Sequence, residues 1–277
     1  MRELHALTLS EALDLAFSVF RSNFRVLAGL TVLTYAAPVA LLYAVIYAYG
    51  DLDPASLDLV LLPVLMVLFS LLTGAITIAV ADDFLASGPR AADSLGRALR
   101  FVWPLTLAAI CVGIPILAGL VLGLASITGG ATLVLTGQDA VAALAGGVIG
   151  AVGLAILCVF VFAAAGLFLF SPIIVLEDLG ALAALRRCWR LMRGYRRRVV
   201  GLVVLWLILS MGPSVALDWL LPDVSVVHSI ARAGIEAFIA AYIAVAEVVL
   251  YFDIRVRAEA FDLDHLARAV EANAPAA

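Results

Sequence analysis

The residues most able to do chemistry in this chain are three charges inside its last long apolar segment, residues 224–251. They are Arg232, Glu236 and Glu247. Ionisable side chains within a membrane-crossing segment are costly, and they commonly face protein or water and serve ion paths or proton relays. Arg232 and Glu236 stand one helical turn apart, so we expect them to form an ion pair.

Glu247 stands apart from this pair. It lies eleven residues beyond Glu236, three turns along the same face, with no basic residue at i−4 or i−3 and only Tyr251 at i+4. Two interpretations stay open. The carboxyl group is either a core group, hydrogen-bonded in the bundle or reached by an arginine of another segment, or a site for a cation or a partner.

A second set of charges begins where the fourth and sixth apolar segments end. Its members are Glu177, Asp178, Asp253, Arg255, Arg257 and Glu259. We predict that they form an ion-pair collar at the cytoplasmic edge, with Asp253 bonded to an arginine other than its i+4 neighbour Arg257. Exposed ion pairs contribute only ~0 to 1 kcal/mol, so this prediction requires partial burial.

Seven arginines are crowded between the fourth and fifth apolar segments. They are Arg186, Arg187, Arg190, Arg193, Arg196, Arg197 and Arg198. An anionic leaflet attracts each nearby arginine by ~1 kcal/mol, which makes lipid headgroups the expected partner. The alternative is that these arginines only fix the orientation of the segments. Nucleic acid is not expected, because the amphipathic helix that carries them directs its apolar side into lipid.

Residues for catalysis or metal binding form no usable pattern. The three histidines are far apart, and the three cysteines have no metal-ligand spacing and are expected to be free thiols. All 17 basic residues are arginine, so there is no catalytic lysine, and no Gly-x-Ser-x-Gly motif occurs. We therefore expect no enzyme activity, no metal and no cofactor.

Six apolar segments must position these charges. They are residues 26–49, 57–80, 102–127, 141–176, 199–221 and 224–251. A helix needs only ~20 apolar residues to cross a bilayer, and 65% of the chain is hydrophobic. We expect one integral membrane domain over residues 1–277. Apart from Arg232, every arginine lies before the first segment, after the sixth, or in the second or fourth gap, so the positive-inside rule places both termini in the cytoplasm.

Each arginine-rich gap before a pair of segments also has the spacing of an amphipathic helix, over residues 9–24, 91–102 and 181–195. Thr8 and Glu11 have capping-box spacing at the first. We expect the apolar sides of these helices to enter the headgroup boundary.

Two apolar segments follow each amphipathic helix. The predicted fold is therefore an all-α membrane protein with six transmembrane helices and interfacial helices, built from three repeats over residues 1–88, 89–179 and 180–277. The fourth segment is too long for a perpendicular crossing. It either tilts, breaks near its glycines at 146–153, or projects from the membrane.

Three stretches resemble one known family: SPIIVLE at 171–177, ALRRCWRL at 184–191 and LYFDIRVR at 250–257, continued by EAFDL at 259–263. The chain resembles the membrane domain of some glycerophosphodiester phosphodiesterases and its stand-alone bacterial relatives. Cys188 stands where that family usually has Ser, and Ala260 where Gly is common. The family's phosphodiesterase activity belongs to a separate soluble barrel, so the resemblance implies no catalysis by this membrane domain. It implies a multi-pass protein of the bacterial cytoplasmic membrane.

Two functions remain from the sequence. The leading hypothesis is a non-enzymatic scaffold or accessory subunit that engages the bilayer, anionic lipid headgroups and a membrane-protein partner. The alternative is a small transporter, channel or lipid-translocating protein that uses the charged face of the sixth segment. They differ in whether a polar path crosses the bundle.

Overall fold

A computed structural model describes residues 8–49, 54–84, 88–137, 139–220 and 226–259, and every element in these residues is a helix. The α-helices are α1 (Leu9–Ser22), α2 (Phe24–Thr31), α3 (Ala37–Tyr49), α4 (Pro54–Phe84), α5 (Ala91–Ala98), α6 (Val102–Thr136), α7 (Ala140–Leu167), α8 (Phe170–Leu176), α9 (Ala181–Leu191), α10 (Arg196–Leu220) and α11 (Val226–Glu259). A π-helical stretch, Val32–Ala36, joins α2 to α3, and a 3-10 turn, Leu99–Phe101, joins α5 to α6.

Helix α11 lies at the centre of the bundle. It packs against α1, α2, α3, α4, α8, α9 and α10. Its buried face carries a row of alanines, among them Ala237, Ala241 and Ala244, which lets neighbouring helices approach closely. The position of α11 means that charges near its end meet several other helices.

Five stretches of the described chain are long and apolar enough to cross a membrane. They are Phe24–Val45, Leu61–Phe84, Ala91–Thr136, Ala140–Leu176 and Ile230–Glu259. The remaining predicted segment, residues 199–221, coincides with α10 except for its last residue. Many side chains of that helix lie outside the described residues, so a sixth crossing there stays a prediction.

Helices α6 and α7 form a long hairpin held by glycines. A Cβ on Gly130 would lie 2.5 Å from the carbonyl oxygen of Gly146, and a Cβ on Gly146 would lie 2.6 Å from that of Gly130. Gly123 and Gly153 face each other in the same way, at 3.1 and 2.7 Å. The small residues therefore let the two backbones touch, as in close-packed membrane helices.

The predicted break of the fourth segment is not at these glycines. Helix α7 runs without interruption from Ala140 to Leu167, and the chain breaks between α7 and α8, at Phe168 and Leu169. Close packing against α6 needs glycines on a continuous helix, which explains why they do not kink it. The partner helix α6 is 35 residues long, about 52 Å, so a membrane crossing by this hairpin would require it to tilt or to project from a core of ~30 Å.

The amphipathic helices bury their apolar faces in the protein itself. The predicted capping box is present on α1, where Glu11 N–H donates to Thr8 Oγ1 at 3.3 Å and Thr8 N–H donates to Glu11 Oε2 at 2.6 Å. Fully or nearly fully buried residues of these helices are Ala12, Ala16, Val19, Ala98, Ala184, Cys188 and Met192. Small side chains therefore let each helix dock on the core, and contact between the large apolar side chains and the headgroup boundary stays a prediction. The large residues Phe17, Phe24, Leu99, Leu182 and Trp189 of these helices remain exposed.

Candidate functional site

A sharp chain reversal between α8 and α9 prepares the charged region. Glu177 caps the C-terminus of α8, and Asp178 follows with φ of 53°. Leu179 N–H donates to the Ile174 carbonyl at 3.3 Å, which is the six-to-one hydrogen bond of a Schellman motif. Asp is one of the few side chains that tolerate this left-handed backbone. Asp178 is a predicted member of the collar, and its side chain is exposed. Its contribution in the structure is the left-handed backbone of this turn.

The reversal sets Glu177 against Arg187 of α9. Arg187 Nε donates to Glu177 Oε2 at 3.0 Å, and Arg187 Nη2 donates to Glu177 Oε1 at 3.4 Å. The same Nη2 is also paired with Glu259 Oε1 on α11. One guanidinium therefore bridges two carboxylates from different helices.

Three residues of α11 complete the arrangement, at i, i+4 and i+8. The Tyr251 hydroxyl donates to Glu177 Oε1 at 3.0 Å and accepts from Arg255 Nη1 at 3.0 Å. Arg255 Nε then donates to Glu259 Oε2 at 3.2 Å. These contacts close a ring of five side chains, called here the polar ring: Glu177, Arg187, Glu259, Arg255 and Tyr251.

The polar ring balances its own charge. It holds two carboxylates and two guanidinium groups, whose side chains are between 16% and 30% exposed. Burial lowers the pKa of Arg187, but hydrogen bonds from its guanidinium to Glu177 and Glu259 outweigh burial and raise that pKa overall. The ring is therefore partly shielded, and it joins the end of α8 to α9 and α11.

The remaining predicted collar members pair within α11. Arg257 Nε donates to Asp253 Oδ1 at 2.9 Å, and the Asp253 side chain is fully buried. The arginine on Oδ1 is the i+4 neighbour Arg257, because α11 continues as a regular helix to Glu259 and holds Arg257 above Asp253. The predicted bond of Asp253 to a different arginine stays a prediction.

The seven clustered arginines do not act as one group. Arg187 belongs to the polar ring, whereas Arg186, Arg190 and Arg193 are exposed and form no ion pair within the described residues. The side chains of Arg197 and Arg198 lie outside the described residues.

Arg196 has an aromatic environment. Its guanidinium carbon lies 3.7 Å from the centre of the Trp189 ring and 4.7 Å from that of Phe162. Gly166 makes this possible, since a Cβ there would meet the indole at 2.8 Å and Arg196 Nε at 3.1 Å. Cation–π contact is therefore the observed environment of this arginine.

Beside the polar ring, the end of α9 and the end of α11 border an open surface pocket of about 370 Å³. Its lining includes Arg187, Arg190, Arg193, Tyr195 and Glu259. The turn after α9 shapes it: Tyr195 N–H donates to the Met192 carbonyl at 3.1 Å, with Gly194 at φ of 91°.

The charges inside α11 separate into a pair and a single residue. Arg232 Nε donates to Glu236 Oε1 at 3.0 Å, at the predicted i,i+4 spacing, and both side chains are nearly half exposed. Glu247 is half-buried and forms no hydrogen bond or ion pair with any described residue. One interpretation is that an arginine from another segment reaches Glu247. No such contact is present among the described residues.

Two residues that form polar contacts between helices are not among the predicted site residues. In the sequence, Tyr251 is an uncharged neighbour of Glu247, yet its position four residues before Arg255 is a signal for contact with that arginine. The second is Arg97 of α5, which pairs with Asp82 at the end of α4. This pair parallels Glu177 with Arg187, because each joins an acid at the C-terminal end of one helix to the short amphipathic helix that follows.

The helices and their composition place the chain in the class of all-helical proteins that are compatible with several membrane crossings. Within that class, residues 7–262 match the family described as "Domain of unknown function (DUF7847)", and the chain belongs to this family. No curated protein and no solved structure matches the chain.

Proposed function

We propose that this protein is a non-enzymatic scaffold of the bacterial inner membrane that engages anionic lipid headgroups and other membrane proteins. The observation that carries the proposal is the outward face of α9. Leu182, Arg186 and Trp189 follow one another at i, i+4 and i+7, so exposed apolar side chains alternate with an exposed arginine on one face. A mixed face of this kind suits the boundary between acyl chains and headgroups.

The arginines of this region differ in whether they are ion-paired, and this difference supports the proposed role. Arg187 is occupied by the polar ring, which fixes α9 against α8 and α11. Arg186, Arg190 and Arg193 project from this fixed helix without a carboxylate partner among the described residues. Outward charges without an ion pair on a fixed helix favour a lipid-binding role for these arginines over a role in setting topology alone.

A partner protein is proposed to pack on the α6–α7 hairpin. Helix α7 packs chiefly against α6 and leaves large apolar side chains such as Val141, Leu144 and Val152 exposed. Affinity purification of the protein from native membranes tests this part. Recovery of a membrane protein that is lost when Leu144 and Val152 are changed to Ser supports it, and a preparation free of any other membrane protein contradicts it.

The lipid part is tested with the purified chain in a neutral detergent. Dioctanoyl phosphatidylglycerol is expected to raise the unfolding temperature more than dioctanoyl phosphatidylcholine, because a ligand that binds only the folded state stabilises it. Changing Arg186, Arg190 and Arg193 to Gln should reduce this difference. The matched control changes Arg21, Arg25 and Arg90 to Gln, which removes three other exposed charges. An equal loss in both triple variants would contradict a special role for α9.

The transport alternative has less support. Arg232 and Glu236 compensate each other, and Glu247 stands about 16 Å further along α11, eleven residues at ~1.5 Å each. These charges therefore do not form a continuous series along the helix.

A further inference from the structure

The pocket between α9 and α11 has the size and the charge of a ligand site. Its volume of about 370 Å³ falls within the ~300 to 1,000 Å³ of common small-molecule sites. Arg187 lines it, but the charge of Arg187 is already taken by Glu177 and Glu259. Both oxygens of Glu259 are in turn held, Oε1 by Arg187 and Oε2 by Arg255. The wall formed by the polar ring is therefore electrically balanced.

Two positive charges remain over the pocket. Arg190 and Arg193 line it, are exposed, and have no ion pair with any described residue. Their backbones are fixed one turn apart, since Arg193 N–H donates to the Arg190 carbonyl at 3.2 Å. Two guanidinium groups on neighbouring turns provide several planar donors, the arrangement that suits a tetrahedral oxyanion such as phosphate.

We propose that this pocket binds the phosphate of an anionic lipid headgroup, with Arg190 and Arg193 as its direct ligands. This inference rests on the proposed lipid engagement and gives it a defined site. A lipid source is favoured over free phosphate because Trp189 and Leu182 are exposed on the same helix. Acyl chains can cover these side chains, and Trp is typical of the membrane boundary.

The test measures binding to the purified full-length chain in neutral detergent by titration calorimetry. The probes are dioctanoyl phosphatidylglycerol, dioctanoyl phosphatidylcholine and inorganic phosphate. For phosphatidylglycerol, changing both Arg190 and Arg193 to Gln is expected to weaken binding at least tenfold, because both direct charge-assisted contacts are lost. Changing both Arg21 and Arg25 to Gln, which removes two exposed charges outside α9 and outside the pocket, should change binding less than threefold.

A second variant guards against misfolding. Replacing Arg190 and Arg193 by Lys keeps the charge but removes the planar fork of donors, so binding should be intermediate between the wild type and the Gln variant. Unfolding temperatures without lipid should agree for all variants, because both side chains are exposed.

The outcomes separate the site from the general proposal. If changing Arg21 and Arg25 to Gln weakens binding as much as the pocket variant, the pocket is overturned while a general attraction of anionic lipid stands. If phosphatidylglycerol and phosphatidylcholine bind equally in every variant, the pocket and the proposed function both fail. If inorganic phosphate binds as tightly as the lipid, the lipid source is overturned.

Discussion

The hydroxyl group of Tyr251 donates a hydrogen bond to Oε1 of Glu177 at 3.0 Å, across 74 positions of sequence. The same hydroxyl oxygen accepts from Arg255. A phenol can donate and accept at once, whereas an arginine only donates and a carboxylate only accepts. Tyr251 is thus the neutral member that lets the polar ring of two carboxylates and two guanidinium groups close.

Removing this hydroxyl should weaken the bundle. Tyr251→Phe keeps the buried ring but leaves Glu177 and Arg255 each with one partner fewer, so we expect a loss of about 1 kcal/mol in unfolding free energy. Chemical unfolding in detergent, followed by tryptophan fluorescence, measures this loss. Tyr242→Phe is the control, because the Tyr242 ring contacts Phe20 and its hydroxyl has no described hydrogen bond. Equal stability of the two variants would contradict the role of the Tyr251 hydroxyl.

Arg187 should matter more than its exposed neighbour Arg186. Arg187→Met leaves Glu177 and Glu259 facing each other without the shared cation, and we expect a loss of about 2 kcal/mol, less than the ~3 to 5 of a fully buried pair. Arg186→Met should stay within ~0.5 kcal/mol, as is usual for an exposed side chain. Adding Glu177→Gln to Arg187→Met should cost less than the sum of the two single changes, which a double-mutant cycle measures. Strict additivity would mean that the ring is not coupled.

The α6–α7 contact offers a matched pair of adjacent glycines. A Cβ on Gly146 would meet α6 backbone at 2.6 Å, whereas a Cβ on Gly147 would meet nothing within 4 Å. Gly146→Ala should therefore force the helices apart and cost about 1 to 3 kcal/mol. Gly147→Ala should be neutral or stabilise by up to ~1 kcal/mol through helix propensity. The same unfolding assay distinguishes them, and a neutral Gly146→Ala would rule out backbone contact in the hairpin.

Cys188 should be an unreactive thiol in the folded protein. It is buried, its Sγ lies 3.5 Å from the Gly166 carbonyl oxygen, and burial raises the pKa of the thiol to about 12. At pH 8 almost none of it is the nucleophilic thiolate. In a background with Cys111 and Cys158 changed to Ser, maleimide labelling should be slow until the protein is unfolded with SDS. Rapid labelling of the folded form would contradict the burial of this side chain.

The predicted orientation can be tested at two exposed positions. Cysteine introduced at Asp139, between α6 and α7, should react with an impermeant maleimide added outside intact spheroplasts, and cysteine at Arg90 should react only after lysis. The positive-inside rule gives this expectation. The reverse labelling pattern would place the termini on the opposite side.

Local sequence signals were the reliable ones. The Thr8 capping box and the pairing of Arg232 with Glu236 depend on residues three or four apart, and both are present. By contrast, amphipathic spacing shows which face of a helix is apolar but does not say what covers that face. The buried side of α9 therefore packs on protein rather than on lipid.

Long-range partners lay beyond the sequence patterns. A collar that includes Glu177 and Glu259 was predicted, but its connection through Arg187 and Tyr251 depends on the angle at which α8, α9 and α11 meet. No spacing along one chain encodes that angle. The break at Phe168 and Leu169 was missed for a related reason, since neither residue is a typical helix breaker and packing decides where the helix bends.

The polar ring also sets an order of assembly. Glu177 and Arg187 are synthesised before Tyr251, Arg255 and Glu259, so the early chain carries an ion pair whose remaining partners do not yet exist. Helix α11 supplies the other three members of the polar ring together. These residues of α11 close the ring and, through Glu259, complete the wall of the neighbouring pocket. The ring can therefore close only after α11 has packed against α8 and α9.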